Sequence, residues 1–214
     1  MKVAMLGTGD VGRALGRGFA TLGHEVKMGS REARNEKALA WAREVGPKAS
    51  VGTFKEAALF GEVVVLATQG AVAEEVLKGI GAEALNGKLL VDTTNPLDLS
   101  AGMPPRFFVG HTDSLGERVQ RAAPGAHVVK AFNSVGNAYM FRPEFPGGPP
   151  DMFICGNNAD AKKKMESILK DFGWGTVDVG GVEASRFLEP LCLLWVGYGL
   201  KTNTWAHAFK LLRK

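Results

Sequence analysis

The 214-residue chain predicts an α/β fold: a doubly wound, mostly parallel sheet followed by C-terminal helices. Three observations predict it. Apolar runs of strand length alternate with helical repeats along most of the chain. Two of these runs, Val3–Leu6 and Glu62–Ala67, are apolar almost throughout, as a strand covered on both faces requires. The spacing Gly7-x-Gly9-x-x-Gly12 follows the first run directly and opens a helix.

The elements follow in order. After the first strand, Val11, Leu15, Phe19 and Leu22 recur at helical spacing as a buried stripe, and Gly23 ends that helix. His24–Met28 alternates polar and apolar as a second strand. A helix over Asn35–Val45, a short strand at Ala49–Val51 and a helix over Thr53–Phe60 come next. The strand Glu62–Ala67 leads to a helix at Ala71–Lys78 and a strand at Lys88–Asp92. A Pro- and Gly-rich loop then runs to about residue 112. A helix over Asp113–Ala122, strands at His127–Lys130 and Met152–Cys155, a helix over Asp160–Phe172 and a strand at Gly175–Val179 complete the alternation. Phe141–Pro150 reads as a surface loop. Glu183–Lys214 reads as one or two helices broken near Pro190. Their apolar content exceeds one amphipathic face and predicts packing across the domain or against a second subunit. The expected organisation is a domain over 1–180 and a helical segment over 181–214.

The glycine spacing carries chemistry because of where it sits. Gly7 permits the tight turn out of the strand, Gly9 lets the backbone approach a pyrophosphate, and Gly12 lets the helix lie close to the strand. The helix start then offers free N–H groups to the phosphates, with Thr8 and Val11 in the same loop. Asp10 is read as an N-cap turned aside from the ligand. This is the dinucleotide-binding arrangement of a Rossmann fold. Its second strand ends in Gly29-Ser30-Arg31, where an NAD site usually carries a carboxylate. Ser30 and Arg31, with Arg34 beyond, suit a 2′-phosphate, and Gly29 is expected to leave room for it. The reading is therefore NADP. The alternative is that Arg31 and Arg34 are solvated charges balanced by Glu32 and Glu36.

Composition excludes several classes. The net charge is +4, and the densest basic run, Lys162–Lys164, falls on a predicted helix as a solvated face, so no nucleic-acid partner is expected. Leu188–Leu200 is too short and too interrupted to span a bilayer. The two cysteines, Cys155 and Cys192, have no metal-ligand spacing, and the first residues already form a strand rather than a leader. A cytoplasmic, metal-free protein is expected. The active cleft should lie where Thr68-Gln69-Gly70, Thr93-Thr94-Asn95-Pro96 and Ala131-Phe132-Asn133 leave their strands. These loops carry small, hydroxyl and amide groups but no poised acid–base set. His24, His111, His127 and His207 are scattered, and Lys130 reads as a strand end whose charge neutralises an anion. Passing a hydride to a flavin-like ring needs alignment more than a proton donor.

Gly7-Thr-Gly-Asp-Val-Gly12, Leu22-Gly-His-Glu-Val26, Gly29-Ser-Arg31, Val91-Asp-Thr-Thr-Asn-Pro96, Lys130-Ala-Phe-Asn133 and Cys155-Gly-Asn157 resemble the coenzyme F-420-dependent NADP oxidoreductase family. The same residues are similar to the cytosolic domain of the six-transmembrane epithelial antigen of the prostate metalloreductases. The resemblance spans roughly residues 1–200. It implies NADPH bound at Thr8, Ser30 and Arg31, hydride exchange with a deazaflavin or flavin, and a nicotinamide side lined by Thr68, Gln69, Asn95, Pro96 and Asn133. The F-420 branch carries a histidine at the position of Asn133, so Asn133 implies an acceptor-side role closer to the metalloreductase branch. The alternatives are a non-catalytic NADPH sensor or partner subunit, and a carbonyl reductase that would need Lys130 or another proton donor.

Overall fold

The structure, a computed structural model, describes residues 1–214. Strand β1 (Lys2–Leu6), helix α1 (Asp10–Thr21), β2 (Glu25–Ser30), α2 (Glu36–Val45), β3 (Ala49–Thr53) and α3 (Phe54–Phe60) form the first half. The chain then crosses to β4 (Val63–Leu66), α4 (Ala73–Ile80), β5 (Leu89–Asp92), β6 (Leu97–Asp98), β7 (Arg106–Phe107), α5 (Leu115–Ala122) and β8 (His127–Lys130). Next come β9 (Asp151–Ile154), α6 (Ala159–Asp171), β10 (Gly175–Asp178) and α7 (Ser185–Thr202).

Six strands make one sheet in the order β3-β2-β1-β4-β5-β8, with every pair parallel. Successive residues of β1 serve opposite faces. Val3 and Met5 join the core beneath α1, α2 and α6, with Leu15, Trp41 and Met165. Ala4 and Leu6 join the core beneath α3, α4 and α5, with Ala57, Leu77 and Val119. Two-sided burial explains why these strands read as unbroken apolar runs. The chain turns from β3 back past β1 to β4, so a crevice opens at the C-terminal ends of β1 and β4.

Four features depart from the sequence reading, the last of them at the C-terminus. The expected loop after β5 contains the hairpin β6–β7, which pairs Leu97 with Phe107 and Asp98 with Arg106. Two-residue strands are too short to leave a period-2 signal. β9 and β10 form their own parallel pair, joined to the main sheet by a single antiparallel bridge between Lys130 and Cys155 and by a shared core. Pro190 does not break the C-terminal helix but lies inside α7. A proline within a helix costs about 3 kcal/mol. Burial of Leu188, Cys192, Trp195 and Val196 on one face outweighs it.

Beyond α7 the chain is not helical. Residues 203–214 run back as a strap over the 145–150 loop. Asp151 N donates to Phe209 O at 2.9 Å, and Leu211 N donates to Asp151 Oδ2 at 2.8 Å. His207, half-buried, stacks on Trp195 with ring centroids 4.8 Å apart. No helix is long and apolar enough to cross a membrane.

Candidate functional site

Two cavities open at the C-terminal edge of the sheet. The first holds about 850 Å³ and runs along the loop between β1 and α1. Gly7 has φ +130°, and a Cβ there would lie 2.3 Å from the Ala67 carbonyl oxygen. A Cβ on Gly12 would lie 2.4 Å from Gly7 O, so the third glycine lets α1 sit against the turn. A Cβ on Gly9 would meet nothing within 4 Å, because the backbone there faces open cavity. Gly9 is also the N-cap of α1 and supplies no side-chain cap, which leaves the first helical amides free for an anion. This corrects the reading of Asp10 as the cap. Asp10 is the first helical residue, lines the cavity and pairs with Arg13. Thr8 and Val11 line the same wall.

The far end of this cavity is charged. Ser30, Arg31, Glu32, Asn35 and Lys37 line it. Ser30 is buried, and its hydroxyl donates to the Glu32 carbonyl. Arg31 is exposed and forms no ion pair. Arg34 is exposed and lies off the cavity wall. The second cation on the wall is Lys37, which sequence reasoning missed. Asn35 caps α2, its side chain accepting from Ala38 N at 3.2 Å, so Lys37 falls in the first turn and faces the cleft. A basic residue two positions past an Asn cap was the available signal. Gly29 does not leave room for a phosphate. A Cβ there would lie 2.9 Å from Ala57 Cβ and 3.1 Å from Phe54 Cα, so its smallness seats α3 against β2.

The second cavity holds about 600 Å³ and lies under the β6–β7 hairpin. Leu97, Leu99 and Phe108 give it an apolar wall, and Thr93, Thr94 and Asn95 a polar one. Its one ionisable lining group, Asp98, is held below the usual carboxylate range by hydrogen bonds from Ser100 and by Arg106. The two cavities share Val11, Ala67, Thr68 and Gln69, none of them ionisable. The hydroxyl oxygen of Thr68 is buried there without a hydrogen-bond partner. An unpartnered buried hydroxyl at a cavity junction fits a polar ligand group.

Asn133 and Pro96 do not line either cavity. Asn133 is 4% exposed and sits behind Asn95. It donates to Asn95 Oδ1 at 3.1 Å and to Leu188 O at 2.7 Å, while its carbonyl accepts from Asn95 Nδ2 at 2.8 Å. The side-chain NH2 of Asn133 is thus spent within the protein. Pro96 is buried, and its carbonyl accepts from Phe108 N at 3.0 Å. Lys130 does not meet an anionic ligand either. It is fully buried, 2.7 Å from Asp92 Oδ2 and 3.2 Å from Glu189 Oε1. Burial opposes its ammonium, but these two carboxylates outweigh burial and raise its pKa. Glu189 is pushed up by burial, against Lys130 and two backbone N–H groups. Cys155 and Cys192 are buried thiols whose pKa burial pushes up to about 11. No cluster of His, Cys, Asp or Glu is arranged to hold a metal ion.

Comparison with known proteins adds independent findings. A family profile described as NADP oxidoreductase, coenzyme F420-dependent, matches residues 2–96. The F420-dependent NADP reductase of Methanothermobacter marburgensis is 32% identical over 95% of this chain and 94% of its own. The metalloreductase STEAP3 of Rattus norvegicus is 29% identical over 90% of this chain, which spans 37% of that protein. A crystal structure from Arthrobacter sp. FB24, provisionally named an F420-dependent NADP reductase, superposes with a TM-score of 0.93. That protein is 40% identical, with both chains covered fully.

Proposed function

The chain belongs to the coenzyme F420-dependent NADP oxidoreductase family, and we propose that it transfers a hydride between NADPH and the deazaflavin F420, with ordinary flavins as secondary acceptors. One observation carries this reading. Two cavities, one suited to a dinucleotide and one to a planar partner, meet at Val11, Ala67, Thr68 and Gln69. A donor ring and an acceptor ring that share such a junction are brought face to face, and alignment is the main catalytic requirement.

NADPH, when bound, supplies the hydride. The chain's own residues hold and orient it. Gly7, Gly9 and Gly12 with the free amides of α1 receive the pyrophosphate, helped by Thr8 and by the backbone of Asp10. Arg31 and Lys37 receive the 2′-phosphate, and Ser30 joins them when its hydroxyl turns from the Glu32 carbonyl. Thr68 and Gln69 flank the nicotinamide. Thr94 and Asn95 with Leu97, Leu99 and Phe108 receive the acceptor ring. A carbonyl reductase needs a proton donor at the reacting oxygen. The junction has no ionisable side chain to serve as one, and Lys130 is tied to Asp92 and Glu189 off both cavity walls.

Purified protein is tested by following NADPH oxidation with F420, FMN, FAD and riboflavin in parallel. Turnover fastest with F420 supports the reading. Tight NADPH binding without turnover on any of the four would replace it with a sensor or partner-subunit role. The exposed row Phe187, Leu194 and Tyr198 on α7, at helical spacing, is proposed to pair with a second copy of the chain. Sedimentation of Leu194→Glu beside the parent protein tests this. Two free, buried thiols support a reducing cytoplasmic setting.

A further inference from the structure

The ion cluster behind the second cavity has a role that the proposed reaction does not yet assign. Lys130 Nζ meets three acceptors: Asp92 Oδ2 at 2.7 Å, Glu189 Oε1 at 3.2 Å and the Thr94 carbonyl at 2.8 Å. The other oxygen of Asp92, Oδ1, accepts from Thr94 N at 2.9 Å and from Thr94 Oγ1 at 2.6 Å. Thr94 is thus held at its amide, its hydroxyl and its carbonyl, all from one buried cluster. One ammonium faces two carboxylates. The surplus negative charge is met by the start of α5, where Leu115 N and Gly116 N donate to Glu189 at 3.1 and 2.9 Å.

Such clusters are a weak source of stability, since apolar residues of equal volume commonly do as well. In this chain the bonds of the cluster converge on the cavity wall. Thr94 and Asn95 both line the second cavity. Thr94 is tied through Lys130 to Glu189, and Asn95 through Asn133 to Leu188, the adjacent residue of α7. We propose that Lys130 is a positioning residue: with Asp92 and Glu189 it fixes the Thr94–Asn95 wall against which the acceptor is aligned. The proposal rests on the reading of the second cavity as the acceptor's site.

The test compares the parent protein with the triple variant Asp92→Asn, Lys130→Met, Glu189→Gln. All three charges leave together, so no buried charge loses its partner. NADPH affinity is read by titration, F420 kinetics as separate kcat and KM, and wall order by amide hydrogen exchange across Thr93–Asn95. Misplacement of a reacting partner lowers rate steeply, so kcat with F420 is expected to fall at least about tenfold, with NADPH affinity within about twofold. Exchange in the wall is expected to rise at least about tenfold, with β1 unchanged. Parent-like kcat, KM and exchange in the folded triple variant would overturn the proposal. If that variant does not fold, Glu189→Gln decides: it lines neither cavity yet removes one carboxylate from Lys130, so kcat with F420 is expected to fall and exchange across Thr93–Asn95 to rise, with NADPH affinity within about twofold. Parent-like kcat and exchange in Glu189→Gln overturn the proposal. A parent protein that binds NADPH but turns over no acceptor overturns the functional reading instead, and the exchange measurement then decides the positioning role alone.

Discussion

Arg31→Ala tests the charge proposed to separate NADPH from NADH. Arg31 lies on the cavity wall, exposed and without an ion-pair partner, so the substitution breaks no internal contact. A hydrogen bond to a charged group contributes about 1.5–3 kcal/mol. A guanidinium on a phosphate makes two in parallel, but in an open cavity solvent screens both. Lys37 stays on the same wall and retains part of the attraction, while Glu32 opposes it. The net loss is taken as about 2 kcal/mol, which is about 30-fold in affinity. NADH lacks the phosphate and should bind within about twofold of the parent value, as for a surface substitution. Calorimetric titration of both cofactors at fixed ionic strength reads the difference. The NADPH loss should shrink as salt rises. Equal weakening of NADPH and NADH would refute the 2′-phosphate pocket.

Other predictions follow from the interior. Asn133→Ala leaves Leu188 O and Asn95 Oδ1 without their donor, and a lost partner for a buried acceptor costs about 1–3 kcal/mol. Urea unfolding reads this cost, and NADPH affinity should stay near the parent value. The thiols of Cys155 and Cys192, pushed up to about 11, should resist alkylation at neutral pH until denaturant is added; rapid labelling of the native protein would contradict their burial. Glu117 is held low by Arg186, and Asp113 is held low by Arg121 and Arg118 against its burial. Their folded pKa values lie below the ordinary 4.5 of Glu117 and 3.8 of Asp113, so this stability is full above those values and is lost as pH falls through the folded ones. Lys130 has the opposite sign: its contribution is full below 10.5 and is lost as pH rises through its higher folded value. Urea midpoints across pH check both limbs, and the alkaline limb should vanish in the triple variant.

The sheet was legible because its strands are buried on both faces. Val3–Leu6 and Val63–Leu66 announce themselves as apolar runs, and the glycine spacing marks where the first strand stops. The cleft loops were legible by position, since the C-terminal ends of such strands must face the crevice. What stayed hidden was tertiary. The hairpin that walls the second cavity has strands of two residues each and no periodicity to read. Pro190 carries a strong local break signal, yet α7 continues through it because its buried face is worth more than one hydrogen bond. Asn133 has the residue type of a ligand group and the burial of a scaffold group, and only its three hydrogen bonds tell these apart. Lys130 is the same case with charge: a strand-end lysine reads as exposed until Asp92 and Glu189 close over it.

Direct passage of the hydride across the shared junction is the central claim, and isotope transfer tests it most directly. NADPH carrying deuterium at the transferred position of the nicotinamide is mixed with the protein and oxidised F420, and the reduced deazaflavin is weighed by mass spectrometry. The account predicts one deuterium on carbon in the product, retained in ordinary water. Product formed at the same rate without deuterium would contradict it, because the hydrogen would then have come from solvent or through a carrier outside the junction.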